Sequence, residues 1–229
     1  MNSSRRWGAD KTGPRMTEGG QGGERCVTEP MGDRTEYVRS LIKSDSWMME
    51  VLATARGVQL PDWWISAGFV RSKVWDDLHG YSQRTPLGDV DLIYFDAMDT
   101  REETEKVMEA HLRELAPDVP WSVKNQARMH VINGQAPYTS SIDAMSRYPE
   151  TATAVGVRLL DDGDLELAVP WGVDDLMGMI VRPTPDFDGR RPHLHREYER
   201  RVREKAWPSR WPMVRMGEAD SGEEARLDR

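Results

Sequence analysis

Two aspartates open an apolar stretch of the sequence, residues 89–96, which read DVDLIYFD. β-branched and aromatic side chains in such a run predict a buried central strand. Side chains two apart on a strand point to the same face, so Asp89 and Asp91 are expected side by side. Two carboxylates placed in this way repel each other unless a cation lies between them, and Mg²⁺ (or Mn²⁺) takes oxygen ligands of this kind. The pair therefore predicts a divalent-metal site on a strand around which the fold must pack.

An Asp-x-Asp pair alone also occurs at solvated strand ends and in turns, so the residues around it decide between the two interpretations. Gly68 provides a turn, and residues 69–78 follow as a helix. Its apolar residues Val70, Val74 and Leu78 repeat at i, i+4 and i+8. A glycine turn, a helix and then an acidic pair entering a strand favour metal-assisted transfer, in which metal ions hold the attacking and leaving oxygens in line.

Hydrophobic periodicity divides the rest of the chain into short helices and strands. The predicted elements are two short helices within 34–56 that break near Ser44, a helix beginning near Thr100, a strand at 121–130, a short helix at 141–148, a hairpin of 155–160 with 165–169, and helices at 172–180 and 193–206. Together they predict an α/β (α+β) fold with a short mixed sheet, flanking helices and a small helical C-terminal portion.

We expect one domain at residues 34–208 with a tail at each end. Residues 1–33 are rich in Gly, Ser, Arg and Glu and lack hydrophobic periodicity, which predicts a disordered segment. Residues 209–229 end in acidic, apolar-poor sequence and are predicted to form a loose C-terminal tail.

Composition excludes several classes of protein. The 229 residues carry a formal net charge of −8, which argues against a protein that coats nucleic acid non-specifically. One cysteine, Cys26, allows neither an intramolecular disulfide nor a cysteine-rich zinc site. No segment approaches the roughly 18 to 20 apolar residues of a membrane span. We therefore expect a cytoplasmic protein with no membrane partner, and the oligomeric state stays open.

Four segments in this order resemble a known family. They are AGFVR with VWD in residues 67–76, DVDLIYFD at 89–96, VKNQARMH at 123–130 and ETATAVGVR at 150–158. The chain resembles the bacterial "nucleotidyltransferase family protein" group, a branch of the polymerase-beta-like nucleotidyltransferase superfamily, over roughly residues 35 to 208. The resemblance implies metal-dependent transfer of a nucleoside monophosphate from an NTP to an acceptor, with release of pyrophosphate.

The resemblance also implies roles for single residues. Asp89 and Asp91 match the metal ligands, and Gly68 matches the turn glycine that admits the phosphates. Phe69 stands where the superfamily has a second small residue. The superfamily often adds a third carboxylate from a later strand, but residues 121–130 contain none. Asp143 is therefore the predicted third acid.

Three cations are candidate substrate-binding residues. Lys124 and Arg128 share one face of the predicted strand and could neutralise a triphosphate, or they could form surface ion pairs on a polar face. Arg71 lies one turn into the helix after Gly68, near a helix N-terminus that favours anions. It could contact phosphate or pair with Asp89 or Asp91.

Other conspicuous residues have simpler interpretations. Trp63, Trp64, Trp75 and Trp121 could stack on bases but are predicted to be core. His193 and His195 are predicted to lie on a solvated helix face. The charges at 196–205 predict an exposed helix with internal salt bridges.

Two functions remain after these observations. The first is nucleotidyl transfer to a small molecule, a protein hydroxyl or an RNA end. The alternative is a catalytically degenerate protein of the same fold that binds nucleotide or a protein partner, which the bulky Phe69 and the absent strand acid support.

Overall fold

The computed structural model describes residues 31–218 of the chain, with side chains from residue 34 onwards. Its helices are α1 (Met31–Lys43), α2 (Ser46–Gly57), α3 (Gly68–Leu78), α4 (Glu102–Leu115), α5 (Gln126–Asn133), α6 (Ser141–Ser146), α7 (Asp174–Met177) and α8 (Pro192–Lys205). Its strands are β1 (Trp64–Ser66), β2 (Val90–Tyr94), β3 (Trp121–Asn125), β4 (Gly156–Leu159), β5 (Leu165–Ala168), β6 (Ile180–Val181) and β7 (Arg215–Met216).

Five of the strands form one mixed sheet in the order β3-β2-β1-β4-β5. β2 and β3 run parallel, and the other neighbours pair antiparallel. The antiparallel β4–β5 pair is the predicted hairpin. The mixed sheet with helices around it confirms the predicted α/β fold class.

The two faces of the sheet carry different side chains. Val90, Leu92 and Tyr94 point into the main hydrophobic core, where helices and strands bury them completely or nearly so. The alternating residues Asp91 and Ile93 point to the other face, where Ile93 packs in a smaller cluster of buried residues. This alternation fixes the side on which the Asp91 carboxylate emerges.

The four tryptophans predicted to be core residues are all buried, from Trp75 at 0% exposed to Trp63 at 8%. Two further tryptophans, Trp207 and Trp211, are each 1% exposed. Because a buried tryptophan removes a large apolar area from water, these side chains contribute strongly to the core.

The predicted strand at 121–130 is wrong in its second half. β3 ends at Asn125, and residues 126–133 form helix α5. The Asn125 side chain accepts a hydrogen bond from the Ala127 backbone N–H (3.0 Å), which caps the helix. The same side chain donates to the carbonyls of Asp96 and Asp99 (2.8 and 2.7 Å). These hydrogen bonds fix Asn125 at the junction between β3 and α5.

The folded part also extends beyond the predicted boundary at 208. Trp211 and Val214 are buried in the main core, and β7 pairs with β6. The tail predicted at 209–229 is therefore wrong for residues 209–218. At the other end α1 begins at Met31, while residues 1–30 of the predicted N-terminal tail lie outside the described part, as do residues 219–229.

None of the helices in residues 31–218 combines the length and apolar character needed to cross a membrane.

Candidate functional site

Asp91 lies in the middle of the sheet, between two serines. Its Cα pairs with that of Ser66 on β1 and that of Ser122 on β3. Ser66 pairs in turn with Gly156 on β4. A row of small residues thus crosses the sheet on both sides of Asp91.

Asp89 lies just before β2 and is exposed, whereas Asp91 is half-buried. Burial raises the pKa of Asp91 to about 6, and the negative charge of Asp89 acts in the same direction. A hydrogen bond with Ser122 and the charges of Arg201 and Lys205 act against this rise. The charge of Asp89 thus disfavours the ionised form of Asp91, and a bound divalent cation would relieve this repulsion.

A cavity of about 570 Å³ opens beside Asp89, and we call it the Arg71 pocket. The N-terminus of α3 contributes Gly68 and Arg71 to its lining. The end of α8 and the segment after it contribute Lys205 and Arg210. Neither Lys205 nor Arg210 forms an ion pair within the part of the chain that the structure describes, so both charges are available to an anion.

Arg71 is a buried cation without a carboxylate partner among residues 34–218. Its side chain is enclosed by three tryptophan rings, with the guanidinium carbon 5.2 Å from the Trp75, 5.3 Å from the Trp207 and 5.7 Å from the Trp211 ring centre. Its Nε has no hydrogen-bond partner. Burial lowers the pKa of Arg71 to about 10. Of the two predicted alternatives, an ion pair of Arg71 with Asp89 or Asp91 is not formed.

Gly68 is the first residue of α3 and follows Ala67, which adopts a positive φ of 54°. A non-glycine residue in this region is strained, and such strain concentrates at functional sites. A Cβ at position 68 would meet only the Arg71 Nη2, at 3.7 Å, so the chain itself leaves room there. The open space at this helix N-terminus is compatible with an anion.

Lys124 and Arg128 both approach the buried Glu105 of α4. Arg128 donates two hydrogen bonds to it, from Nε (2.7 Å) and Nη2 (2.6 Å). The Lys124 ammonium lies 3.8 Å from the same carboxylate and is 39% exposed. Because Lys124 pairs with Ile93 across β2 and β3, it shares the face of Asp91. The two cations therefore differ in their surroundings. Arg128 is bound by Glu105, whereas Lys124 stays accessible on the face of the sheet that carries Asp91.

Asp143 lies in the first turn of α6. Its carboxylate accepts hydrogen bonds from the Thr139 backbone N–H (2.8 Å) and hydroxyl (3.2 Å) and forms an ion pair with Arg147 (3.1 Å). Ser122, beside Asp91, occupies the strand position expected for a third acid. The role of Asp143 as that acid stays a prediction.

The histidine pair near the start of α8 behaves as a helix surface. His193 is exposed, and the His195 ring is hydrogen-bonded to the Phe187 carbonyl at 2.7 Å. Among residues 31–218 there is no group of three or more His, Cys, Asp or Glu side chains able to hold a metal. Asp89 and Asp91 would thus have to be joined by water and substrate oxygens around a cation.

Four charged or polar residues near the acid pair were not predicted as site residues from the sequence. The charges at 196–205 predicted an exposed helix with internal salt bridges, which holds for Arg200 with Glu197 and Glu204. Arg201 and Lys205 instead act on Asp91, and Arg210 and Tyr148 lie in neighbouring cavities. A spacing of four between Arg201 and Lys205 places them on one helix face, and this was the available signal.

Comparisons with known proteins show the family of the chain. A family model described as nucleotidyltransferase matches residues 53–216. One solved structure, an NMR structure described as revealing a CCA-adding enzyme head domain, is 37% identical with a TM-score of 0.73. That match covers 80% of this chain and 95% of the other.

A more distant likeness is the Thermotoga maritima CCA-adding enzyme complexed with tRNA. It is 15% identical with a TM-score of 0.49, and the match covers 79% of this chain and 42% of that one. Comparison with curated proteins gives no match.

Proposed function

The chain belongs to the nucleotidyltransferase family, and from this premise we propose that it moves a nucleoside monophosphate from an NTP to an acceptor hydroxyl. Asp89 and Asp91 would hold Mg²⁺ or Mn²⁺, and the Arg71 pocket would receive the phosphates. The observation that carries the proposal is the place of Asp89, two residues before Asp91, in the lining of a cavity that also contains Gly68 and three cations.

In this reaction an acceptor oxygen bonds to the α-phosphorus, the bond between that phosphorus and the α–β bridging oxygen breaks, and pyrophosphate leaves with the electron pair. The acceptor proton passes to a base, for which Asp143 is our candidate. A metal at the acid pair would supply charge stabilisation to the phosphoryl oxygens. Arg71, Lys205 and Arg210 would balance the charge of the triphosphate, as transfer requires fixed positive groups around the phosphates.

Arg71 is well suited to bind phosphate. Taking a guanidinium out of water without a partner is unfavourable, and the three surrounding rings compensate only in part through cation–π attraction. An anion in the pocket would give the unpaired charge its missing partner. Lys124, on the same face as Asp91, is a further candidate for contact with the substrate.

The second candidate function is nucleotide binding without catalysis. The observation that favours it is Ser122, a hydroxyl at the position where a third carboxylate would lie next to Asp91. The involvement of Asp143 with Thr139 and Arg147 points the same way. Under this alternative the pocket would bind an NTP and release it unchanged.

The deciding experiment incubates the purified protein with each NTP labelled at the α-phosphate, with Mg²⁺ or Mn²⁺ and cell extract as a source of acceptors. The extract contains small molecules, proteins and RNA, so fractionation of the labelled product identifies the acceptor class. We expect pyrophosphate release that EDTA stops.

Asp91→Asn keeps the size of the side chain and removes its charge. Metal and substrate charge stabilisation amounts to several kcal/mol, so we expect at least about a 100-fold loss of activity. Asp161→Asn, at the exposed turn between β4 and β5, is the matched control and should retain full activity. NTP binding without pyrophosphate release in the unsubstituted protein would support the non-catalytic alternative, and equal activity of Asp91→Asn would contradict the assigned metal site.

A further inference from the structure

Glu150 is a fully buried glutamate that binds an arginine of α8. It is 0% exposed, and its Oε1 accepts a hydrogen bond from the Arg201 Nε at 2.7 Å. Its Oε2 accepts one from the Thr153 hydroxyl at 2.7 Å. Glu150 opens the segment ETATAVGVR, and the proposed transfer gives it no role. Burying a carboxylate is costly even when it is paired, so its presence here requires a reason.

Arg201 extends from this pair toward the Asp91 side of the sheet. It lines a second cavity of about 570 Å³, the α8 cavity, together with Tyr148 and Glu197. The Tyr148 hydroxyl is hydrogen-bonded to the Ser66 hydroxyl at 3.0 Å, and Ser66 is the strand partner of Asp91. Tyr148 therefore connects the lining of the α8 cavity to the strand position beside Asp91.

The terminal nitrogens of Arg201 have no hydrogen bond within residues 34–218, because Glu150 engages Nε alone. Nε holds the plane of the guanidinium while Nη1 and Nη2 remain available. An arginine fixed in this way loses less conformational entropy when it donates to a ligand oxygen.

Glu150 also acts on the arginine of the other cavity. Burial is the main reason that the pKa of Arg71 is low, and among the charges around it Glu150 raises this pKa while Arg201 lowers it. One buried carboxylate thus lies near two arginines that repel each other, one from each cavity beside the acid pair. Its negative charge offsets the repulsion between the two arginines.

We propose that Arg201 donates to oxygens of the bound NTP in the α8 cavity, and that Glu150 is the positioning residue that aims it there. This inference rests on the proposed function, since it takes an NTP as the ligand. Glu150 itself touches no substrate and acts through Arg201.

Nucleotide affinity tests the inference without turnover. α,β-Methylene analogues of ATP, CTP, GTP and UTP cannot be cleaved at the bridge, and titration calorimetry with Mg²⁺ gives their Kd. Glu150→Gln keeps the size of the side chain and an acceptor for Thr153 but removes the charge. A charge-assisted hydrogen bond corresponds to roughly a 10- to 100-fold effect, so we expect Kd to rise about 10-fold in Glu150→Gln and up to about 100-fold in Arg201→Met.

Asp175→Asn is the matched control, because Asp175 likewise binds an arginine and a threonine hydroxyl, Arg182 and Thr151, but lines another cavity. It should leave Kd unchanged. Arg201→Lys keeps the charge and should recover part of the affinity lost in Arg201→Met.

A double variant separates positioning from general stability. If Glu150 acts through Arg201, adding Glu150→Gln to Arg201→Met should not weaken binding further. Two results would overturn the inference. One is that Glu150→Gln raises Kd as much in the Arg201→Met protein as it does in the unsubstituted protein, and the other is that it lowers the melting temperature while leaving Kd unchanged. Absence of analogue binding to the unsubstituted protein would overturn both proposals, whereas binding without pyrophosphate release would overturn only the transfer reaction.

Discussion

Replacement of Arg128 by methionine tests whether this arginine stabilises the fold or binds substrate. Its partner Glu105 is 1% exposed on its side chain, and Arg128 itself is 18% exposed. Arg128 supplies two of the hydrogen bonds to that carboxylate, and the Asn125 backbone N–H supplies a third at 2.8 Å. Methionine fills a similar volume without any donor, so the carboxylate would remain buried with one short hydrogen bond.

The expected loss in the free energy of unfolding follows from these hydrogen bonds. Removing one partner of a buried ion pair costs about 3–5 kcal/mol. The remaining Asn125 donor and the Lys124 ammonium, which starts 3.8 Å away, reduce this to about 2–4 kcal/mol. For a domain of this size 1 kcal/mol corresponds to about 2–4 °C, so Arg128→Met should lower the melting temperature by roughly 4–16 °C.

Arg113→Met provides the matched comparison. Arg113 pairs with Glu109, which accepts the Val123 backbone N–H just as Glu105 accepts that of Asn125. Arg113 is 57% exposed, and an exposed pair contributes about 0.2–1 kcal/mol. Differential scanning calorimetry of both variants, with the nucleotide-analogue titration as second measurement, tests the assignment. An unchanged melting temperature in Arg128→Met together with lost nucleotide binding would refute it and return Arg128 to the substrate.

Two further substitutions test hydrogen bonds to the carboxylates of Asp45 and Asp76. Burial alone would raise the pKa of Asp45, but hydrogen bonds from Arg84 and Lys73 hold it below its usual value. A carboxyl group whose pKa is lowered in the folded state stabilises the fold at pH values above its pKa in the unfolded chain, about 3.9. This stabilisation is lost as the pH falls through the pKa of the folded state. Asp45→Ala, which also removes the cap of α2, should therefore cost about 1–2 kcal/mol at pH 7 and less near pH 3 in urea unfolding; an equal cost at both pH values would contradict this. Trp211→Phe removes a hydrogen bond to Asp76 (2.8 Å) and should lower stability by about 1–2 kcal/mol, whereas a loss below 0.5 kcal/mol would show the bond to be dispensable.

The sequence predicts most of the elements because these depend on local patterns. β2 and the β4–β5 hairpin have strong periodicity and turn signals, and the break between α1 and α2 occurs at Asp45, where its side chain caps α2. Asp89 and Asp91 require only the two-residue spacing of a strand. Each of these conclusions uses residues within one element.

Prediction from the sequence is wrong or incomplete where a helix cap competes with a strand pattern, or where contacts between residues far apart in the sequence determine the structure. VKNQARMH has the alternation of a strand, but the Asn125 side chain caps a helix instead and is held by carbonyls of residues 96 and 99. Glu150 and Arg201 lie 51 positions apart, and Asp76 and Trp211 lie 135 apart. No periodicity within one segment indicates that such residues meet.

The pocket beside the acid pair is a product of these distant contacts. Trp207 and Trp211 enclose Arg71, and Arg210 between them faces the same cavity. Trp211 donates to Asp76, which also accepts the Thr85 backbone N–H (2.8 Å) and so holds the long loop before Asp89. The row of small residues around Asp91 supplies no charge of its own, so the cations must come from α3, α8 and the segment after it. The Arg71 pocket therefore depends on the packing of residues 206–214 onto α3, because both the enclosure of Arg71 and the position of the loop rest on their contacts.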